Sequence, residues 1–247
     1  MPVNAWTVGL LALGTALATG LGALPFLATR RPSRSWLARA NAAAAGFMLA
    51  ATVALFYEGA SGSVVQTALG ALTGAVLIGL MRRWLRNRDE IHVAALRGAD
   101  ALRAFLIIGV MTVHSFAEGV GVGVSFGGGE ALGLFITLAI AVHNIPEGLA
   151  ISLVLVPRGA SVRSAAAWSV FSSLPQPIVA VPAFLFVEQF SGLLAAGLGF
   201  AGGAMLWMVL SELLPEARSD GSILEIAAWG GLAFVAMSAL QVALGTL

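Results

Sequence analysis

The chain has 247 residues, 59% of them hydrophobic and 10% charged, with a formal net charge of +1 and a mean hydropathy of +0.94. A soluble domain of this length needs far more polar surface, so the composition points to a polytopic membrane protein. Cysteine is absent, which excludes disulfides, thiolate metal sites and cysteine nucleophiles. A charge near zero gives no reason to expect a nucleic-acid partner.

A spanning helix needs about 20 mostly apolar residues. Runs of that kind predict an all-α chain with eight transmembrane helices, at roughly Ala5–Ala28, Trp36–Tyr57, Ser63–Trp84, Arg103–Phe126, Ala131–Val156, Val162–Val187, Ser191–Leu214 and Ile223–Leu247. The first begins with MPVNAWTVGLLALG and has no basic stretch ahead of its apolar run. It therefore reads as a retained span rather than a cleaved signal. Most connections are short and hold Gly, Ser, Pro or charge. The longest, around residues 85–102, mixes both signs of charge as a solvated connector does, and contains His92. The whole of 1–247 reads as one transmembrane domain.

The basic residues are all arginine, at 30, 31, 34, 39, 82, 83, 86, 88, 97, 103, 158, 163 and 218. They cluster at the first, third, fifth and seventh connections. The positive-inside rule then puts those connections in the cytoplasm and both termini outside it. An even number of spans agrees. The expected location is the cell's inner (plasma) membrane, crossed several times.

Two spans carry unusual polar residues. The fourth holds VHSFAEG, with His114 and Glu118; the fifth holds VHNIPEG, with His143 and Glu147. A spacing of four puts each pair on one helix face, about 6 Å apart along the axis. Charged groups at mid-membrane face a cavity or a partner, because exposing them to lipid costs a few kcal/mol. The spans are joined by the GGGE turn and run antiparallel, so His114 is expected level with Glu147, and Glu118 with His143. Two imidazoles and two carboxylates at one depth suit a borderline divalent metal, with two negative charges against +2. Pro146 removes a backbone hydrogen bond beside the site.

Other residues have plainer readings. Met48, taken alone, is a packing residue. Glu58 and Glu188 lie near the outer ends, where carboxylates are solvated. GVGVGVSFGGG lacks the Lys-Ser/Thr of a phosphate loop and reads as close helix packing. Gln176, between Pro175 and Pro177 in SSLPQP, breaks the sixth span where a pathway could pass.

HSFAEG followed by HNIPEG resembles the paired signature of the ZIP (Zrt/Irt-like) divalent-metal transporters, in their GufA-like bacterial branch. TGLGALP, AAGFMLAA, SSLPQP and AGGAMLWMVLSELLPEA extend the resemblance over most of the chain. The family's topology, eight spans with both termini outside, matches the reading above. The resemblance implies a metal site of Met48, His114, Glu118, His143 and Glu147. It also implies a second position at Ser115, Asn144 and Gln176, bridged by Glu118 and Glu147. The chain departs from the family pattern in three places. Gln176 stands where relatives have Glu, SELLPEA puts Ser211 in place of Asp while keeping Glu212, and the histidine-rich third connection is missing. The second position is therefore expected to be weak or part of a pathway, with Glu58, Ser211 and Glu212 as further pathway candidates.

The expected activity is inward transport of a divalent transition metal. Zn²⁺ leads, and Cd²⁺, Fe²⁺, Co²⁺ and Mn²⁺ are poorly distinguished by such ligands. The metal is substrate, and no cofactor is expected; the partners are metal ions and lipid, with a homodimer as the candidate assembly. Two alternatives stay open on the residues alone. An intramembrane zinc hydrolase would need three ligands, an open water position and a base. A proton-coupled carrier of an organic solute would use the His/Glu pairs as a relay.

Overall fold

The computed structural model describes residues 3–28, 33–86 and 98–243. Among them the chain is entirely helical. The main helices are α1 (Ala5–Leu21), α2 (Arg34–Arg86), α3 (Gly98–Ser125), α4 (Glu130–Leu155), α5 (Val162–Ser173), α6 (Pro175–Gln189), α7 (Leu194–Met208), α8 (Leu214–Asp220) and α9 (Ile223–Ala243). A π-helical turn, Val209–Leu213, joins α7 to α8. Among the described residues, six stretches are long and apolar enough to cross a membrane.

Local chemistry sets the helix ends. Asn4 caps α1 by accepting a hydrogen bond from the Thr7 amide, and Ser161 caps α5 through the Ser164 amide. Orphan amides at a helix start are satisfied in this way. The turn between α3 and α4 passes through Gly129 at φ 121°, a left-handed conformation that favours glycine. The sixth expected span is split at Leu174 into α5 and α6, just ahead of the Pro175–Gln176–Pro177 sequence. By contrast α4 stays helical through Pro146.

Helix α2 covers both the second and the third expected spans. Its apolar part, Arg34–Met81, has 48 residues, which would reach roughly 70 Å if straight, more than twice a bilayer core. It does not run straight. Ser63 is extended (φ −163°, ψ 109°) inside the helical run, and its hydroxyl accepts from the Gln66 amide at 3.3 Å, so it caps a new helix. A Cβ on Gly59 would lie 2.7 Å from the Thr67 hydroxyl, although eight residues of straight helix span about 12 Å. Further along, Phe56 meets α7 at Gly202 and Ala71 meets it at Gly203. The helix is therefore a tight hairpin, and no loop separates its halves.

Other span limits shift for similar reasons. The first helix ends at Leu21 and continues as a short 3-10 turn at Leu24–Leu27. Helix α2 reaches Arg86 and α3 starts at Gly98; the rest of the expected connector, His92 included, lies outside the described residues. So do the last four residues of the expected eighth span.

The helices pack as two groups. Helix α2 lies mainly against α7 and α9, while α1 lies against α4, α5 and α6, and α3 against α6. Within the second group the backbones come very close. A Cβ on Gly148 of α4 would collide with the Thr19 carbonyl of α1, and one on Gly119 of α3 would lie 2.7 Å from the Gln176 carbonyl of α6. Small residues permit such approach where burial of apolar surface gives no drive between helices in lipid. It also brings the polar side chains of α1, α3, α4 and α6 into one buried place.

Candidate metal centre

Helix α3 presents His114 and Glu118 one turn apart, and α4 runs back alongside with Glu147. The His114 Nε2 lies 3.0 Å from Glu118 Oε1 and 2.6 Å from Glu147 Oε1. All three side chains are buried. Their ligand atoms lie within 4.8 Å of one another. The level pairing of His114 with Glu147 expected from antiparallel spans is present. The His143 side chain lies outside the described residues, so its pairing with Glu118 is not seen.

One imidazole nitrogen and two carboxylates converging in the buried interior suit a divalent cation. Two buried carboxylates are costly when uncompensated. An ion of charge +2 balances both, and zinc accepts nitrogen and oxygen ligands together. The donor set therefore fits a borderline metal.

A second, neutral cluster adjoins the charged one. Gln176 is fully buried, and its Nε2 donates to Glu118 Oε2 at 2.5 Å. Its Oε1 accepts from the Thr15 hydroxyl at 2.5 Å and from Asn144 Nδ2 at 3.1 Å. The same Asn144 nitrogen donates to the Thr15 carbonyl at 2.8 Å, and Asn144 Oδ1 accepts from Gln176 Nε2 at 3.4 Å. Four helices are thereby tied at one point, and Glu118 belongs to both clusters. Ser115 is buried, and its hydroxyl has no hydrogen-bond partner among the described residues.

The remaining predicted residues are spread around this centre. Met48 is fully buried in the main apolar core, with Met205 and Met208. Ser211 and Glu212 sit on the π-helical turn and line a small cavity together with His114, Val113, Trp207 and Met208. Its volume of about 10 Å³ is marginal for a single water. Half-buried Glu58 lies beside the α3–α4 turn, near Gly128.

Thr15 went unrecognised in the sequence. Its partner Gln176 is 161 positions away, and a threonine in an apolar helix ordinarily bonds its own backbone. The available signal was Thr15 and Thr19 four residues apart on one face, both buried. Thr19 meets Ser173 at 2.8 Å.

The chain is similar to proteins already known. The model of the ZIP zinc transporter family matches residues 87–240. The zinc transporter GufA of Myxococcus xanthus is 36% identical, over 98% of this chain and 100% of its own length. The zinc transporter ZIPB of Bordetella bronchiseptica is 33% identical, over 96% of this chain and 82% of its own. A protein of Arabidopsis thaliana with a provisional zinc-transporter name is 48% identical over 97% of this chain, which spans only 39% of that longer protein. These likenesses favour neither the intramembrane hydrolase nor the organic-solute carrier. The chain, a multi-pass membrane transporter and not an enzyme, belongs to the ZIP zinc transporter family.

Proposed function

We propose that this protein carries a divalent transition metal, Zn²⁺ before Cd²⁺, Fe²⁺, Co²⁺ or Mn²⁺, across the plasma membrane into the cytoplasm. The observation that carries the reading is the convergence of His114, Glu118 and Glu147, all buried, on two facing helices. His143 and Met48 complete the proposed ligand set. A soft thioether beside imidazoles disfavours Mg²⁺ and Ca²⁺.

The chain crosses the membrane eight times in this reading, counting α3, the two halves of α2, and α5 with α6 as one crossing. The arginine pattern puts both termini outside. Glu130 and Glu188 line a cavity of about 400 Å³ at what is then the outer end, with Glu58 nearby. Carboxylates there raise the local concentration of cations at the mouth. From the centre the ion leaves past Ser211 and Glu212, whose small cavity touches His114. Passage requires the group α1, α3, α4, α5 and α6 to shift against α2, α7 and α9, because the centre itself is closed on all sides.

The test is Zn²⁺ uptake into vesicles containing only the purified protein. Saturable uptake that Cd²⁺ inhibits and Mg²⁺ does not is the expected result. Flux no greater than in protein-free vesicles would refute the reading.

A further inference from the structure

We propose that the Gln176 carboxamide, keyed in place by Thr15 and Asn144, holds the buried centre to a single divalent ion. The inference rests on the reading of His114, Glu118 and Glu147 as the metal site. Thr15 is then a positioning residue that acts through Gln176, and Gln176 sets how many ions the centre accepts.

The orientation of the amide follows from donor and acceptor chemistry. An ionised carboxylate can only accept, so the Gln176 atom 2.5 Å from Glu118 Oε2 is the N–H side. This turns Oε1 toward α1. The Thr15 hydroxyl lies 2.5 Å from that oxygen and 2.7 Å from the Ala12 carbonyl. It has one hydrogen, and a 2.5 Å approach between two oxygens holds only if that hydrogen lies between them. Asn144 spends both of its amide hydrogens, one on the Thr15 carbonyl and one on Gln176 Oε1. Its own oxygen is left facing the Gln176 nitrogen.

Every polar atom of both amides is thus engaged. A cation needs lone pairs, whereas on the Glu118 side Gln176 offers hydrogens. To ligate a second ion the carboxamide must turn over. Its oxygen would then face the Glu118 carboxylate, and its N–H groups would face the Asn144 N–H group. A carbonyl and a nitrogen that are well paired in one orientation become two like-against-like contacts in the other, at fully buried side chains. In its present orientation one amide hydrogen already stabilises Glu118 Oε2. It does part of what a second cation would do, without adding charge. Two divalent ions would also set +4 against two carboxylates, and like charges a few ångströms apart repel strongly in a medium of low dielectric.

The experiment is the Zn²⁺ content of the purified full-length protein, by elemental analysis after equilibration with Zn²⁺ alone and removal of free metal. Weaker ions are followed by calorimetric titration with Zn²⁺. The unmodified chain should retain one ion. Gln176→Glu supplies a carboxylate where the amide stands and should retain two. Thr15→Val keeps the shape but frees the amide to turn, and titration should show a second ion at least tenfold weaker than the first. Thr15→Ser should restore the single ion. A purely structural role for these residues would lower metal content and never raise it. Two ions in the unmodified chain, or one in Gln176→Glu, would overturn the clamp and leave the metal site standing. A Thr15→Val titration identical to that of the unmodified chain would overturn the part assigned to Thr15. No retained metal in either the unmodified chain or Gln176→Glu would overturn the site itself, and the clamp with it.

Discussion

The buried centre has two halves that meet at Glu118. On one side His114, Glu118 and Glu147 bring two carboxylates and an imidazole within 4.8 Å, a set that cannot rest without a cation or protons. On the other side Thr15, Asn144 and Gln176 are neutral and hydrogen-bonded to one another. Both halves are buried, yet only the first has a charge for a metal to balance. In a medium of low dielectric, burial alone does not make a metal site; the balance of charge and the supply of lone pairs do. The neutral half supplies order, since it ties α1, α3, α4 and α6 together and fixes one oxygen of Glu118.

Substitutions should separate the halves by size of effect. The largest belongs to the charged half. Glu147→Ala removes a carboxylate 2.6 Å from His114. Losing a residue that merely supports a ligand weakens metal binding by about 10–100-fold. Loss of the ligand itself should exceed that and abolish measurable Zn²⁺ uptake, while the protein still inserts and purifies. Uptake at the unmodified rate would remove Glu147 from the site.

The neutral half should show a smaller effect of a different kind. Asn144→Leu deletes a donor to both the Thr15 carbonyl and Gln176 Oε1. Hydrogen bonds between membrane helices average about 0.6 kcal/mol and reach about 1.7. The metal-free protein should therefore lose roughly 1 kcal/mol against unfolding in detergent, while Zn²⁺ affinity falls only a few-fold. An effect on Zn²⁺ affinity as large as that of Glu147→Ala would show that Asn144 is a ligand and that the two halves are not distinct.

The smallest effect is expected at Met48, which lies in the apolar core and is proposed as a soft ligand. Met48→Leu conserves volume and should cost less than about 1.5 kcal/mol of stability. Competition assays should show Cd²⁺ losing ground to Zn²⁺ by a few-fold, since the thioether favours the softer ion. An unchanged Cd²⁺/Zn²⁺ ratio would return Met48 to packing alone.

The charged half was legible in the sequence and the neutral half was only partly so. Two His-x-x-x-Glu pairs inside apolar runs break the composition of a membrane helix, and helical geometry turns their spacing into a shared face. Antiparallel order then gave His114 the same level as Glu147, as the structure has it. Asn144 and Gln176 stood out as polar groups in apolar surroundings. Thr15 did not, because its role depends on a partner in a distant helix and threonine is ordinary in such segments. The reversal in α2 was legible, since the Gly- and Ser-rich EGASGS stretch at 58–63 parted the second and third expected spans. Its form was not: Ser63 breaks the helix by its own backbone and caps the next turn by its hydroxyl, so no loop separates the halves. The π-helical turn that sets Ser211 and Glu212 beside His114 likewise has no counterpart in the hydropathy pattern.

The central claim is that the transported ion rests among His114, Glu118 and Glu147. Anomalous diffraction at the zinc absorption edge, on crystals of the unmodified protein grown with Zn²⁺, tests it most directly. The expected result is one strong peak per chain, about 2.0–2.2 Å from the His114 nitrogen and from oxygens of Glu118 and Glu147, and absent in Glu147→Ala. A zinc peak bound elsewhere in the chain, with these three side chains making no contact to it, would contradict the claim.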